Sequence, residues 1–362
     1  MKTSRAKVAF IGMGKRMQTV HLPLIKKIQA AFNPVGFTCR NPNSGQALED
    51  QIGLKYYSSV SDFASLDERP DFFICAVPGE QNLAVVKEVI NTGIPLLLET
   101  PILDHEVAAI ANHPEAKVAV LEQWPRLPIE AFKSRLFQVA IYARPFMVMN
   151  DCRSFNYHAM AQLRNYIGRE HMPAHANGMA TQILGPEFLD NSNNIRNEPE
   201  AWEMGMVRFS NGAILSHSFS YHCKTAPFRS IQTLRSYSVN GTFTTGKYDS
   251  SGDDYQILDF RVLENSKTRK MEVIVEKDEQ GNVARITDTE TNIYWKNPFI
   301  EFGLNDQETA IASIFRDMAK VSRDEANLSL LHTCQDSYID NMLIGAIKHA
   351  AHTNQVLSFT QG

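Results

Sequence analysis

The residues best able to do chemistry in this 362-residue chain stand at turns. Gly12-Met13-Gly14 cuts off an apolar run, Val8 to Ile11, and is followed by Lys15, Arg16 and an amphipathic stretch carrying Val20, Leu22, Leu24, Ile25 and Ile28. Strand, tight turn and helix in that order form an anion cradle. Gly12 permits the turn, Gly14 lets a pyrophosphate approach the backbone, and the helix N-terminus offers free N–H donors and a partial positive charge. Met17 stands where the Gly-x-Gly-x-x-Gly pattern has its third glycine, a residue that serves helix–strand packing rather than phosphate contact. Glu99-Thr100-Pro101 ends a second apolar run, and Tyr157-His158 places an imidazole, a residue type suited to proton transfer, beside a phenol.

The second strand, read over Pro34–Cys39, bears on the choice of nucleotide. A ribose 2′-hydroxyl is usually held by an Asp or Glu about 20 residues beyond the glycines. Here Thr38, Cys39, Arg40 and Asn41 occupy the strand tip, and the first acid is Glu49. Arg40 can pair with a 2′-phosphate that an acid would repel. The expected cofactor is therefore NADP, with NAD as the alternative, and Asn41 or Ser44 as helpers.

These groups need elements to hold them. Strands and helices alternate through the first third, as a parallel sheet with crossover helices requires. Helices are predicted over 44–52, 60–65, 81–92 and 104–111, and strands over 70–78, 95–101 and 117–124. Pro125-Arg-Leu-Pro128 breaks the pattern, which divides the chain into a dinucleotide-binding domain, 1–124, and a second domain, 125–362. The second domain opens with helix 129–138, strand 146–152 and helix 157–167. Hairpins follow at Asn211-Gly212, Asn240-Gly241 and Gln280-Gly281-Asn282; Asn-Gly between β-branched and aromatic runs is a strong hairpin signal. The fold class is α/β: a doubly wound parallel sheet joined to an α+β domain with a large open antiparallel sheet, completed by helices over 306–321 and 328–352. His217 and His222 fall on one predicted strand with opposite facing, and His171 and His175 fall in a loop without carboxylates at ligand spacing, so no metal site is expected.

The Gly12-Met-Gly14 turn, the strand ending Ala76-Val77-Pro78, the Gly93…Glu99-Thr-Pro101 segment and the antiparallel second domain resemble the Gfo/Idh/MocA oxidoreductases. That resemblance implies a Rossmann domain holding NAD or NADP. It also implies a second domain facing a small polar or cyclic, sugar-like substrate, and a dimer or tetramer through the outer face of the wide sheet; Thr100, which cannot trade a proton near neutral pH, adds an imine or enone to the expected substrates. It places Gly12, Met13, Gly14, Lys15, Arg16, Arg40 and Asn41 against the nucleotide and Val77, Pro78, Glu99 and Pro101 at the nicotinamide end. The catalytic candidates are His158, Tyr157, Thr100 and Glu99. Two residues depart from the family pattern: Thr100 replaces the lysine of Glu-Lys-Pro, and Ser154 replaces an aspartate four residues before His158. The rival expectation is a catalytically silent NAD(P)-binding sensor or scaffold.

Composition removes other classes. A net charge of −4 gives no electrostatic case for nucleic acid. The longest apolar runs, such as Ile94–Leu98, are too short to span a bilayer, and the N-terminus lacks a secretory apolar region. Five scattered cysteines without a Cys-x-x-Cys read as reduced thiols, so a cytoplasmic location is expected.

Overall fold

A computed structural model describes residues 5–113, 116–139, 142–151, 156–183, 188–189, 194–196, 200–220, 231–248 and 255–359. They form two compact units. The first comprises Met1–Gln123 with Glu301–Leu304 and Glu308–Tyr338; the second comprises Trp124–Ile300 with Asn305–Gln307 and Ile339–Gly362.

Unbroken apolar runs make stable strands only when both sheet faces are covered, and the first unit is built on that rule. Its strands are β1 (Ala6–Ile11), β2 (Phe32–Thr38), β3 (Tyr56–Tyr57), β4 (Phe72–Cys75), β5 (Leu96–Leu98) and β6 (Val118–Val120). They run parallel in the order β3-β2-β1-β4-β5-β6, and His332–Thr333 adds an antiparallel strand beyond β6. Helices α1 (Leu22–Lys27), α2 (Pro42–Ile52), α3 (Asn82–Ile90) and α4 (Asp104–Ala111) are the crossovers. Strand order reverses between β1 and β4, the point at which such sheets open a crevice at their carboxyl ends.

The helix after the glycine turn departs from the simple periodicity of its sequence. Met17–His21 is a π-turn, with the Leu22 N–H bonded five residues back to the Met17 carbonyl. Pro23 explains this, because it has no N–H and its ring would collide with the carbonyl four residues earlier. Met17, in the position of the absent glycine, is fully buried.

From Glu308 onward, the helix Asp306–Ser322, expected in the second domain, belongs to the first unit. Phe315 is fully buried, with its ring centroid 6.2 Å from Phe32, 6.4 Å from Phe72 and 6.0 Å from His21. Ion pairs from Lys27 to Glu308 (2.5 Å) and Lys117 to Asp324 (2.7 Å) flank it. The single helix expected over 328–352 is divided into a turn at Leu328–Leu330, the strand His332–Thr333 and a helix Cys334–Thr353. The stop is a reciprocal cap: the Thr333 N–H donates to Asp336 Oδ2 (3.0 Å) and the Asp336 N–H to Thr333 Oγ1 (3.1 Å).

The second unit contains helices α5 (Pro128–Gln138) and α6 (Asn156–Ile167) and strands β7 (Met147–Asp151), β8 (Pro173–Ile183), β9 (Phe188–Leu189), β10 (Ile195–Arg196), β11 (Glu200–Phe209), β12 (Ile214–Ser220), β13 (Gln232–Ser238), β14 (Gly241–Lys247), β15 (Ile257–Glu264), β16 (Lys267–Lys270), β17 (Val273–Lys277), β18 (Val283–Asp288) and β19 (Tyr294–Lys296). The wide sheet runs β16-β15-β14-β13-β7-β12-β11-β8, with Leu357–Ser358 at its edge. Its pairings are antiparallel except β7 with β12. The turns at 211–212 and 240–241 join hairpins of this sheet, whereas Gln280–Asn282 joins β17 to β18 in a separate three-stranded sheet. His175, expected in a loop, lies on β8. That strand is rich in small and polar residues and has little β signature of its own; its pairing with β11 over almost its whole length makes it one. Gly178 is required there, because a Cβ would fall 2.6 Å from the Ile347 carbonyl of the helix Cys334–Thr353.

One sheet face carries Val207, Leu215, Leu234, Phe243 and Phe260 into a core with Phe132, Leu136 and Leu163 of α5 and α6. On the other face Met179 lies opposite Met204, and Met179, Met204 and Met206 are 74%, 53% and 45% exposed.

Phe315→Ala is expected to cost about 3–5 kcal/mol, the usual penalty for emptying a buried phenylalanine site. Urea unfolding measures it, and a change near zero would detach this helix from the first core.

Candidate functional site

Four strand ends are brought to one edge. The Gly12 N–H donates to the Thr38 carbonyl (2.9 Å), the Ala76 N–H to Ile11 (3.0 Å) and the Glu99 N–H to Cys75 (2.9 Å). The carboxyl ends of β1, β2, β4 and β5 are thereby locked side by side. Gly12 has φ +81°, and a Cβ on it would lie 2.8 Å from Val77 Cγ1 and 2.9 Å from the Ala76 carbonyl, so only glycine fits. Around Gly14 no atom lies within 4 Å of where a Cβ would be, which leaves the turn open to a ligand. The Gln18 amide donates to the Met13 carbonyl (2.6 Å) and pins the turn. Met13 is buried by its side chain, so it can face a nucleotide only through its backbone; Lys15 and Arg16 are exposed.

Glu99 is held at both carboxylate oxygens. Its Oε1 accepts from Arg16 Nε (2.6 Å), and its Oε2 lies 2.9 Å from Nε2 of the fully buried His21. Burial alone would raise its pKa; the hydrogen bond and charge of His21, then those of Arg16, outweigh this and hold the carboxyl below its ordinary value. His21, read from sequence as structural, is the clamp on this carboxylate. Thr100 is half-buried one residue on, and Pro101 is exposed.

A cleft of about 420 Å³ opens beside the turn. Gly12, Thr38, Cys39 and Arg40 line one side and Ser59 and Val77 the other. Its volume falls in the range of small-molecule and cofactor sites, roughly 300–1,000 Å³. Arg40 is exposed on the wall. Asn41 differs from expectation: its Oδ1 accepts from the Asn43 and Ser44 N–H groups (3.0 and 3.2 Å) and caps α2, so that oxygen is committed to the chain. Glu49 is likewise engaged, accepting from the Tyr56 N–H (3.0 Å). Sequence reasoning missed the far wall, Gln81, Ala84, Val85 and Glu88 of α3 and the turn before it. Their spacing of three, four and seven is a helical stripe, a signal that was present. Glu88 adds a carboxylate that the strand tip alone does not reveal.

In the second unit, His158 is 6% exposed on α6, with its ring centroid 5.4 Å from Trp124 and 4.2 Å from Tyr157. His217 is buried between two asparagines: Asn150 Nδ2 is 3.0 Å from Nδ1, and Asn156 Oδ1 is 2.8 Å from Nε2. Burial pushes its pKa down to about 3, so it stays neutral. Ser154 and His222 lie outside the described residues. Among the described residues no three His, Cys, Asp or Glu side chains converge on a metal position, and no helix is long and apolar enough to cross a membrane.

Residues 6–120 match the family model described as oxidoreductase family, NAD-binding Rossmann fold (Gfo/Idh/MocA). Among curated proteins none matches. Three solved structures share the fold. The WlbA dehydrogenase of Bordetella pertussis, in complex with NADH and UDP-GlcNAcA, is 14% identical at a TM-score of 0.64 over 100% of both chains. An oxidoreductase of Agrobacterium radiobacter, in complex with NAD+, L-tartaric acid and magnesium, is 15% identical at 0.63 over 98% of both. The transcriptional regulator Gal80p of Kluyveromyces lactis is 14% identical at 0.71 over 99% of this chain and 95% of its own.

The Glu99 clamp makes stability depend on pH. A carboxyl whose folded pKa is depressed contributes stability that is complete above its unfolded value, near 4.5 here, and is lost as pH falls through the folded value. Glu99→Gln is expected to cost about 1–3 kcal/mol at neutral pH and to lose stability less steeply below the ordinary glutamate range. Urea midpoints followed from neutral pH into that range test this; parallel slopes for variant and parent would contradict it.

Proposed function

We propose that this chain, whose first domain belongs to the Gfo/Idh/MocA oxidoreductases, is an NADP(H)-preferring oxidoreductase acting on a small polar or cyclic substrate, sugar-like or an imine or enone. The observation that carries the proposal is the cleft between the Gly12–Gly14 turn and Arg40 at the reversal of strand order. Gly12, Met13 and Gly14 offer backbone to the diphosphate, Lys15 a cation, and Arg40 a partner for the 2′-phosphate. Val77, Pro78 and Pro101 border the nicotinamide. Arg16 is engaged by Glu99 and contributes through the turn that it closes. The bound cofactor supplies the hydride. His158, beside Tyr157, is the proposed proton carrier. The Thr100 hydroxyl can hydrogen-bond a substrate heteroatom but does not exchange a proton near neutral pH, which favours reductions that need little acid catalysis.

The proposed assembly is a cytoplasmic homodimer, or a pair of dimers, through the exposed sheet face. Met179, Met204 and Met206 give that face apolar surface of the kind that marks an interface. The second reading is a nucleotide-binding protein without turnover; Thr100 and the shared fold of a transcriptional regulator favour it.

Fluorescence titration with NADPH and NADH in parallel is the test. NADPH is expected to bind more tightly, and Arg40→Ala to weaken NADPH alone by about tenfold or more, the worth of one charge-assisted hydrogen bond. Binding of neither nucleotide ends the oxidoreductase proposal. Binding without turnover on polyol, imine and enone panels, unchanged in His158→Ala, selects the second reading. For the assembly, Met204→Lys is expected to convert a dimer to a monomer in light scattering; an unaltered dimer moves the interface elsewhere.

A further inference from the structure

A buried carboxylate that none of these roles uses joins two loops of the first unit. The loops leave neighbouring parallel strands: residues 76–81 follow β4 into α3, and residues 99–103 follow β5 into α4, with Cys75 opposite Leu98. At their base the Glu99 N–H donates to the Cys75 carbonyl (2.9 Å). At their far end Glu106, in the first turn of α4, reaches across to α3, where its Oε1 accepts from the Leu83 N–H (3.3 Å). That N–H is one of the first-turn donors that a helix leaves without an internal partner, and a carboxylate beside it stands at the positive end of the helix. Between these two ties the loops approach closely. A Cβ on Gly79 would fall 3.1 Å from Leu103 Cγ and 3.6 Å from the Pro101 carbonyl.

Glu106 is 3% exposed, and its Oε2 has no hydrogen-bond partner among the described residues. Burying a carboxylate with one oxygen unmet is costly, and an apolar side chain would fill the same place without that cost. What Glu106 contributes is therefore the bond it makes from one helix to the other. We propose that Glu106 is a positioning residue for the nicotinamide half of the cofactor: by holding the start of α3 to α4 it sets the spacing between Val77-Pro78 and Thr100-Pro101, without touching the nucleotide itself. The inference rests on the nucleotide-binding reading above. The adenosine half is independent of this tie, because it depends on Arg40 and on the length of α3 that Val86 and Val89 anchor in the core.

Calorimetric titration of the full chain with NADPH and with adenosine 2′,5′-bisphosphate, which lacks the nicotinamide half, separates the two ends. Glu106→Ala is expected to weaken NADPH about tenfold, the scale of one lost hydrogen bond to a charged group, and to leave the bisphosphate unchanged. Glu106→Gln keeps an acceptor for the Leu83 N–H and is expected to restore the parent affinity for NADPH. Should the alanine variant fail to fold, Glu106→Asp, which keeps the charge and withdraws it by one methylene, is expected to show the same split. A role in stability alone moves both ligands or neither. Equal weakening of the two, no change in either, or a glutamine variant as weak as alanine overturns the proposal and leaves nucleotide binding standing. Failure of the parent chain to bind either ligand refutes the nucleotide reading itself, and the positioning role falls with it.

Discussion

The carboxylate of Glu99, held between His21 and Arg16, is the interaction on which the nucleotide edge depends. It joins the end of β5 to the helix that follows the glycine turn, two segments that no backbone hydrogen bond connects directly. A carboxylate with this little exposure is costly unless paired. The clamp therefore fixes more than one side chain. Because the Glu99 N–H is also bound to Cys75, the position of Thr100 and Pro101 is set from both backbone and side chain. The clamp also changes the charge offered to a phosphate: Arg16 is drawn onto Glu99, leaving the exposed Lys15 as the adjacent cation of the turn.

Elements defined by local chemistry were legible from the sequence, and those defined by their neighbours were not. Apolar runs such as Phe72–Cys75 and Leu96–Leu98 can only be buried strands, and Asn211-Gly212 and Asn240-Gly241 announce hairpins before any partner is known. Strand β8 has no such signal. Its small residues are explained by the approach of the helix Cys334–Thr353, a constraint from more than 150 residues along the chain, so Gly178 and Ala176 read as loop until that helix is placed. The helix Asp306–Ser322 was legible as a helix, but amphipathicity states that a face is buried without saying in which core, and Phe315 chose Phe32 and Phe72. At the site, Gly12, Gly14 and Arg40 were readable as types at positions. Asn41 shows that a cap and a ligand-binding amide have the same sequence appearance, and only the N–H groups of Asn43 and Ser44 reveal that its oxygen caps α2.

Two histidines of the second unit show how environment sorts one residue type into different chemistry. His217 is enclosed, with both ring nitrogens directed to asparagines and burial lowering its pKa to about 3. A group held neutral through the physiological range has no proton to trade there; its contribution is to fix Asn156, the first residue of α6. His158, two residues further along that helix, instead makes tilted ring contacts with Trp124 and Tyr157. The sequence placed both on regular elements, but the two asparagines that decide the matter come from β7 and α6 and are invisible to periodicity.

A fold shared with dehydrogenases and with a transcriptional regulator does not by itself choose between turnover and recognition. The choice falls to magnitudes at Thr100. A positioned acid or base is typically worth about 10²–10⁴ in rate, roughly 3–5 kcal/mol of barrier, whereas a neutral hydrogen bond from a threonine hydroxyl contributes about 0.5–1.5 kcal/mol. Oxidising an alcohol needs the hydroxyl proton removed as hydride leaves, so it would carry the whole deficit unless His158 made it up. Reducing a substrate that is already protonated, such as an iminium, needs no proton at that moment and would lose little. For the oxidoreductase proposed above, the exchange of lysine for threonine is thus selective among reactions rather than uniformly damaging. On that proposal it weighs against polyol oxidation and favours the reduction of polarised double bonds.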